Sequence, residues 1–124
     1  MSEYTARQGD IVWLEFDQRA GHEQSGRRPA VIISNETANT FLNKRAIVCP
    51  VSGTNKGYPV QPSLDARTVT QGVVLCDQVA AYDLVARHAE YIENLPEDIL
   101  HDVIDIVFGM IEIETDDKNE NSYQ

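Results

Sequence analysis

The residues with the clearest chemical potential in this sequence lie in and directly after a polar segment. Residues 17–26 contain two glycines and almost no apolar side chains, and they include His22 and Glu23. Arg28 follows at the start of a buried-looking strand that would limit its rotamers. A guanidinium can hold a phosphate through a rigid fork of donors, and a histidine or a partly buried glutamate can move a proton. These residue types indicate acid–base chemistry beside a bound phosphate.

A second polar segment, residues 52–59, adds a hydroxyl at Ser52 and a cation at Lys56, and its turn residues predict an exposed loop. Each candidate also has an ordinary structural explanation. A loop histidine is usually solvated, Arg28 could pair with Glu23, and Ser52 could be a turn former. Because the sequence contains no P-loop, metal-ligand cluster or nucleophile elbow, residue types alone do not establish a site.

Short segments of strand-favouring residues must position these groups. Glycine and polar turns separate them, which favours a small barrel or sandwich. The predicted strands are Asp10–Phe16, 29–34, 46–51, 72–77 and 89–92, with Pro50 at a bulge or strand end.

The apolar residues between positions 99 and 111 recur with the period of one helix face. Asn94 is the predicted N-cap, Pro96 suits the first turn, and Glu97 places negative charge at the positive end of the helix dipole. We expect one domain over residues 1–113, followed by a disordered acidic tail over residues 114–124.

Composition limits the class of protein. Hydrophobic residues make up 42% of the 124 positions, which is enough to form a core without disulfides. Cys49 and Cys76 lie in apolar runs without a zinc-ligand pattern, so we expect buried free thiols. No apolar run approaches the ~20 residues that span a bilayer, and the first residues lack a signal-peptide segment. These features predict a soluble, cytoplasmic protein with no membrane partner.

The net charge of −10 first argues against a nucleic-acid partner, because phosphate binding relies on Lys and Arg. Its distribution reverses that argument. Residues 1–89 hold nine acidic and nine basic residues, whereas residues 90–124 hold eleven acidic residues and one base, Lys118. The part of the chain that carries the candidate groups is therefore neutral.

Several motifs, taken in order, resemble the MazF/PemK family of toxin endoribonucleases from about Arg7 to Ile111. They are Gly9-Asp10-Ile11-Val12-Trp13, Gly21-His22-Glu23-Gln24-Ser25-Gly26-Arg27-Arg28-Pro29-Ala30, Val48-Cys49-Pro50-Val51-Ser52, Lys56-Gly57-Tyr58-Pro59 and Gly72-Val73-Val74-Leu75-Cys76-Asp77-Gln78. The resemblance implies a mainly β fold with a C-terminal helix, an SH3-like small barrel of the CcdB/PemK-like toxin type. It also implies a homodimer that cleaves single-stranded RNA, often messenger RNA, with no metal or other cofactor. A cognate antitoxin of the MazE/PemI type is the implied partner.

The same resemblance implies roles for single residues. Arg28 would stabilise a phosphorane-like transition state together with the hydroxyl of Ser52, where the family usually has Thr. Glu23 or His22 is the candidate base. Because RNA carries a 2′-hydroxyl beside each phosphate, the expected reaction is its in-line attack, giving a 2′,3′-cyclic phosphate and a 5′-hydroxyl.

Asp77 is a further acid–base candidate. The PemK-like branch has an Arg two residues before this Asp, whereas this sequence has Leu75, so the choice of general acid and base stays open. The predicted RNA-binding residues are Arg19, Gln24, Arg27, Lys56, Tyr58 and Arg87.

Two alternatives remain open. CcdB toxins share the expected architecture and inhibit DNA gyrase, but they end in Trp-Gly-Ile, whereas this chain ends Ser122-Tyr123-Gln124. The second alternative is a family member that binds RNA or an antitoxin but does not cleave RNA. Ser52 and Leu75 are the residues that favour it.

Overall fold

The computed structural model describes residues 4–16, 26–55 and 57–115. This part of the chain is mainly β, as expected, with a long helix near its C-terminal end. The elements in chain order are β1 (Asp10–Phe16), β2 (Gly26–Ile32), α1 (Glu36–Leu42), β3 (Arg45–Ser52), β4 (Val73–Val74), a 3-10 turn (Cys76–Gln78), β5 (Ala80–Asp83), β6 (Glu90–Asn94) and α2 (Glu97–Ile111).

The strands form an antiparallel sheet in the order β4-β3-β2-β1-β6, and β5 also pairs with β3. β3 is central because it pairs with β2 along one edge and with two strands along the other. The first half of β3 pairs with β5, and its last two residues pair with β4. This arrangement brings the end of β3, where Ser52 lies, between β2 and β4.

Pro50 lies inside β3, so the prediction of a bulge or strand end there is wrong. Its carbonyl accepts a hydrogen bond of 2.8 Å from the amide of Leu75. The backbone N and O atoms of a strand residue point to the same edge of the strand, so the N of Pro50 also faces the edge that pairs with β5 and β4. Pro50 lies between these two pairings, where no partner strand requires an N–H donor from it. The strand can therefore continue to Ser52 without losing a ladder hydrogen bond.

Side chains on both faces of the sheet are buried, which explains the continuous apolar runs of the sequence. On one face α2 packs on a cluster that includes Ile11, Val31 and Cys49. The alternate residues Val12, Ala30 and Val48 belong to a second cluster on the opposite face, together with Tyr82 and Leu84. Both predicted free thiols are confirmed as buried.

The predicted C-terminal helix is confirmed as α2, but its predicted N-cap is wrong. Pro96 occupies the cap position and makes no side-chain cap hydrogen bond. Asn94 is instead the last residue of β6, where it pairs with Asp10 and accepts a hydrogen bond from the Tyr91 hydroxyl. None of the helices in the described residues is long and apolar enough to span a membrane.

Other boundaries also differ from the sequence predictions. β2 begins at Gly26, three residues before the predicted start, because Arg27 and Arg28 still pair with β1. The predicted strand 72–77 shortens to Val73–Val74, since the chain must turn there to pass from β4 to β5 along one edge of β3. α1 and β5 were not predicted. Residues 17–25 of the predicted loop and 116–124 of the predicted tail lie outside the described residues.

Candidate active site

Arg28 and Ser52 lie at the same end of the sheet on neighbouring strands. Arg28 is exposed on β2, opposite Leu14 of β1. The pairing of β2 with β3 ends at Ala30 and Pro50, and the same register continued by two residues reaches Arg28 and Ser52. Because side chains alternate along a strand, both belong to the face opposite α2. A phosphate at this end could contact a guanidinium and a hydroxyl together.

The hydroxyl of Ser52 has a defined position. Ser52 is the last residue of β3 and is only 7% exposed, so the prediction that it belongs to an exposed loop is wrong. Its Oγ accepts a hydrogen bond of 3.2 Å from the amide of Thr54. A hydroxyl that accepts from a backbone amide still carries its own proton to donate. Ser52 can therefore donate that proton to an anion while its oxygen is held in place.

The segment 63–72 packs beside Ser52 and is tied to the sheet by Glu93 of β6. The carboxylate of Glu93 accepts from the amides of Val69 and Thr70 at 3.0 and 2.7 Å, and from the Thr70 hydroxyl at 2.7 Å. Burial alone would raise the pKa of Glu93, but these hydrogen bonds outweigh it and hold the pKa below its ordinary value.

Arg67 supplies a second anchor for this segment. Its guanidinium contacts Asp65 within the segment and Asp98 in the first turn of α2, both at 2.8 Å. The hydrogen bonds from Arg67 lower the pKa of Asp65 to about 2, and they also lower the pKa of Asp98. The segment 63–72 beside Ser52 is thus fixed to both β6 and α2.

Asp77 is exposed in the 3-10 turn on the β4 side of β3, whereas Arg28 lies on the β2 side. The register of β3 with β4, continued by two residues, brings Cys49 opposite Cys76. The hydrogen bond with Cys76 and burial raise the pKa of the Cys49 thiol, and the nearby Asp77 carboxylate adds to the effect. Asp77 therefore lies beside a buried thiol pair.

Leu75, where the PemK-like branch has an Arg, is a core residue here. Its side chain is 4% exposed, and its amide donates to Pro50. A buried aliphatic side chain cannot share acid–base work with Asp77. The residue type could be read from the sequence, but its burial could not.

The three described members of the predicted RNA-binding set have different surroundings. Tyr58 is 54% exposed. The Arg87 guanidinium donates to the carbonyl of Glu15 at 3.1 Å and lies 4.8 Å from the centre of the Tyr82 ring. Arg27 is directed to the carbonyl of His88 and to the carboxylates of two glutamates. The predicted residues Arg19, His22, Glu23, Gln24 and Lys56 lie outside the described residues.

Sequence reasoning missed the groups that hold Ser52 in place. Gly72 belongs to a motif noted above, but nothing in its type indicates that it lies against Ser52. Glu93 gave no signal, because its partners are backbone amides 23 and 24 residues away. Within the described residues no group of His, Cys, Asp or Glu side chains could hold a metal ion.

Comparison with known proteins gives consistent matches. Residues 7–107 match the family described as PemK-like, MazF-like toxin of type II toxin-antitoxin system. The chain is 37% identical over 101 residues to the endoribonuclease PemK of Escherichia coli, covering 77% of this chain and 74% of the relative. It is 38% identical over 89 residues to the endoribonuclease toxin MazF of Escherichia coli strain K12, covering 72% and 78%.

Solved structures agree with these relatives. A crystal structure of MazF from Deinococcus radiodurans matches with a TM-score of 0.82 and 36% identity, over 90% of this chain and all of that one. A structure of MazE-MazF from the same organism matches with a TM-score of 0.78 and 33% identity, again over 90% and 100% of the two chains. The expected CcdB/PemK-like toxin fold is confirmed.

Proposed function

Since the chain belongs to the PemK-like, MazF-like toxin family and is an endoribonuclease, we propose that it cleaves single-stranded RNA, messenger RNA included, at specific sequences and without a metal ion. The observation that carries this proposal is the shared position of Arg28 and Ser52 at one end of the sheet, on the face opposite α2. Messenger RNA is a cytoplasmic substrate, so the cytoplasm is the proposed site of action.

The proposed reaction is an in-line transesterification. A base removes the proton of the 2′-hydroxyl, the 2′-oxygen forms a bond to phosphorus, and the bond from phosphorus to the 5′-oxygen breaks. A general acid gives a proton to the departing 5′-oxygen. The products are a 2′,3′-cyclic phosphate and a 5′-hydroxyl. Glu23 or His22 is the proposed base, and Asp77 is a further candidate for proton transfer.

The charge that develops on the non-bridging oxygens needs donors that are already in position. Arg28 supplies a rigid fork of N–H groups, and Ser52 supplies a hydroxyl whose oxygen is held by the Thr54 amide. The oxygen of Ser52 therefore does not have to move far at the moment of reaction. We assign the stabilisation of the phosphorane-like transition state to this pair.

RNA outside the scissile phosphate would be bound by exposed polar and aromatic groups around this end of the sheet. The exposed ring of Tyr58 offers a stacking surface for a base. The other residues proposed to contact RNA are Arg19, Gln24, Lys56 and Arg87.

The proposed partners are a cognate antitoxin and a second copy of the chain. The MazE-MazF structure supports the first. An apolar groove of about 410 Å³ supports the second, because α2 leaves Phe108 65% and Ile111 70% exposed beside it. Its large apolar lining residues are Ile33, Ile47, Val79, Ile104, Val107, Phe108 and Ile111, and its rim also includes Gln8, Ser34, Asn35 and Ala38. Exposed apolar surface of this kind is typical of an interface.

Cleavage of an end-labelled single-stranded RNA in excess EDTA tests the proposal, with mass spectrometry of the fragment ends. Arg28→Ala and Ser52→Ala should each lower the cleavage rate by ~10²–10³ without unfolding the protein. Arg45→Ala is the matched control, because Arg45 is exposed at the opposite end of β3. Cleavage that requires a divalent metal, or Arg28→Ala cutting as fast as the parent, would contradict the proposal.

A further inference from the structure

Two adjacent arginines at the start of β2 have opposite orientations. Because side chains alternate along a strand, Arg28 belongs to the face that carries Ser52, and Arg27 belongs to the face that carries α2. The side chain of Arg27 is only one third exposed. The guanidinium groups of Arg27 and Arg28 therefore have different surroundings.

The Arg27 guanidinium is directed to three acceptors. Its Nη2 lies 2.5 Å from Oε1 of Glu90, and its Nη1 donates to the carbonyl oxygen of His88 at 3.1 Å. The same Nη1 lies 3.6 Å from Oε2 of Glu15. Two carboxylates and a backbone carbonyl thus engage the N–H groups with which Arg27 could otherwise hold a phosphate.

These acceptors come from three different segments. Glu15 is in β1, directly opposite Arg27; Glu90 begins β6; and His88 lies in the turn before it. Since the strand order is β2-β1-β6, Arg27 reaches across β1 to the strand beyond it. A second hydrogen bond, of 2.9 Å between His88 Nδ1 and Glu15 Oε1, joins the same turn to β1.

We propose that Arg27 is a positioning residue and not a phosphate ligand. Its contacts fix the end of β2 against β1 and β6, and thereby hold the backbone from which Arg28 reaches the scissile phosphate. This inference rests on the proposed role of Arg28 in RNA cleavage. Exposed ion pairs contribute little to stability, so the contacts of Arg27 orient this end of the sheet more than they stabilise the fold.

The two possible roles of Arg27 predict opposite results. A phosphate ligand lost in Arg27→Gln would raise KM and weaken the salt dependence of RNA binding, with a slope smaller by about 0.7. A positioning residue lost in the same variant would lower kcat, because a small displacement of Arg28 disturbs the reacting geometry, and would leave KM and the salt slope unchanged. We expect a fall in kcat of ~10-fold and a change in KM of less than ~2-fold.

Two further variants separate charge from geometry. Arg27→Lys keeps the charge and loses the fork, so we expect it not to restore kcat. Glu90→Gln weakens the Arg27 contact, so kcat should fall in the same direction as in Arg27→Gln, and the double variant should be no worse than either single one. If Arg27 bound RNA, removing the Glu90 charge would tighten RNA binding, and Arg27→Lys would largely restore activity.

The experiment measures kcat and KM on a cleavable RNA, and the salt dependence of Kd on the same RNA with a 2′-deoxy nucleotide at the cleavage position. Arg45→Gln is the charge-matched control and should change none of these quantities. Thermal unfolding should shift by no more than about 5 °C in each variant. A normal kcat in Arg27→Gln, or a raised KM together with a smaller salt slope, would overturn the inference. Full activity of Arg28→Ala would instead contradict the proposed function. In that case the contact between Arg27 and Glu90 could still be detected, because the changes in unfolding free energy of the two single variants would not add up to that of the double variant.

Discussion

The backbone of Gly72 lies directly against the carbonyl of Ser52. A Cβ atom built at position 72 would stand 2.1 Å from the carbonyl oxygen and 2.8 Å from the carbonyl carbon. Gly72 also has a φ of +122°, in the region that favours glycine. The position of Ser52 therefore depends on the absence of a side chain at position 72, directly before β4.

Gly72→Ala should disturb both stability and catalysis, because the new methyl group must displace the peptide that carries Ser52. We expect a loss of at least about 2 kcal/mol in the free energy of unfolding, and a larger fractional loss in kcat than in RNA affinity. Urea denaturation and single-turnover cleavage measure the two effects. Gly53→Ala is the control, since its Cβ would meet no atom within 4 Å. Equal cleavage rates for Gly72→Ala and the parent protein would show that Ser52 is not held in this way.

Acid should weaken the hold of Glu93 on the segment beside Ser52. The folded-state pKa of Glu93 lies below its ordinary value of 4.5, so its ionised form stabilises the fold above that pH. This contribution is lost as the pH falls through the lower folded-state pKa. Glu93→Gln should reduce the free energy of unfolding by about 1–2 kcal/mol at pH 7, and the difference should shrink at pH 3. Denaturant titrations at both pH values measure it.

The matched control for this pH effect is Glu112→Gln, at an exposed position directly after α2. It should change the free energy of unfolding at pH 7 less than Glu93→Gln does, because the Glu112 side chain is exposed. A Glu93→Gln difference that stays constant between the two pH values would indicate that the charge of Glu93 is not what holds Val69 and Thr70.

The thiols of Cys49 and Cys76 should be protected in the folded protein. Both side chains are fully buried, and the raised pKa of Cys49 disfavours its reactive thiolate. A thiol-specific reagent should label them at least ~100-fold more slowly in buffer than in denaturant. Rapid native labelling of either cysteine would mean that the face of the sheet under α2 opens readily.

The apolar groove beside α2 supports a homodimer that can be disrupted from the helix side. Phe108→Asp or Ile111→Asp would bury a charge in the interface, so we expect monomers at micromolar concentration. Phe41→Asp is the control, because Phe41 is 83% exposed on α1 and is not one of the residues that line the groove. Sedimentation velocity measures the state of each variant. Dimers that persist in both groove variants would place the interface on another surface.

Local sequence patterns could predict the elements whose side chains repeat with a clear period. β1 was predicted with its correct bounds, and α2 was recognised from its apolar spacing. The helix α1 and the four-residue β5 were missed because each is too short to display a period. The cap at Asn94 was misassigned because that residue completes a strand whose partner, Asp10, is distant in sequence.

The candidate site was predictable to the level of residue types. Arg28 and Ser52 could be named from motifs, but their position at one end of the sheet depends on the register of β2 with β3. The separation of Arg27 from Arg28 follows from strand alternation only once β2 is known to begin at Gly26. The predicted strand began at residue 29, three residues too late to include Arg27 and Arg28.

The acidic residues of α2 lie on the side of the sheet away from Arg28 and Ser52. Glu97, Asp98, Asp102 and Asp105 are all exposed along the helix, while its apolar side packs on the sheet. We expect a polyanion that approaches this side to be repelled, so that encounters in the wrong orientation are short-lived. The acidic residues of α2 should therefore favour encounters in which RNA meets the opposite face of the sheet, and added salt should weaken this preference.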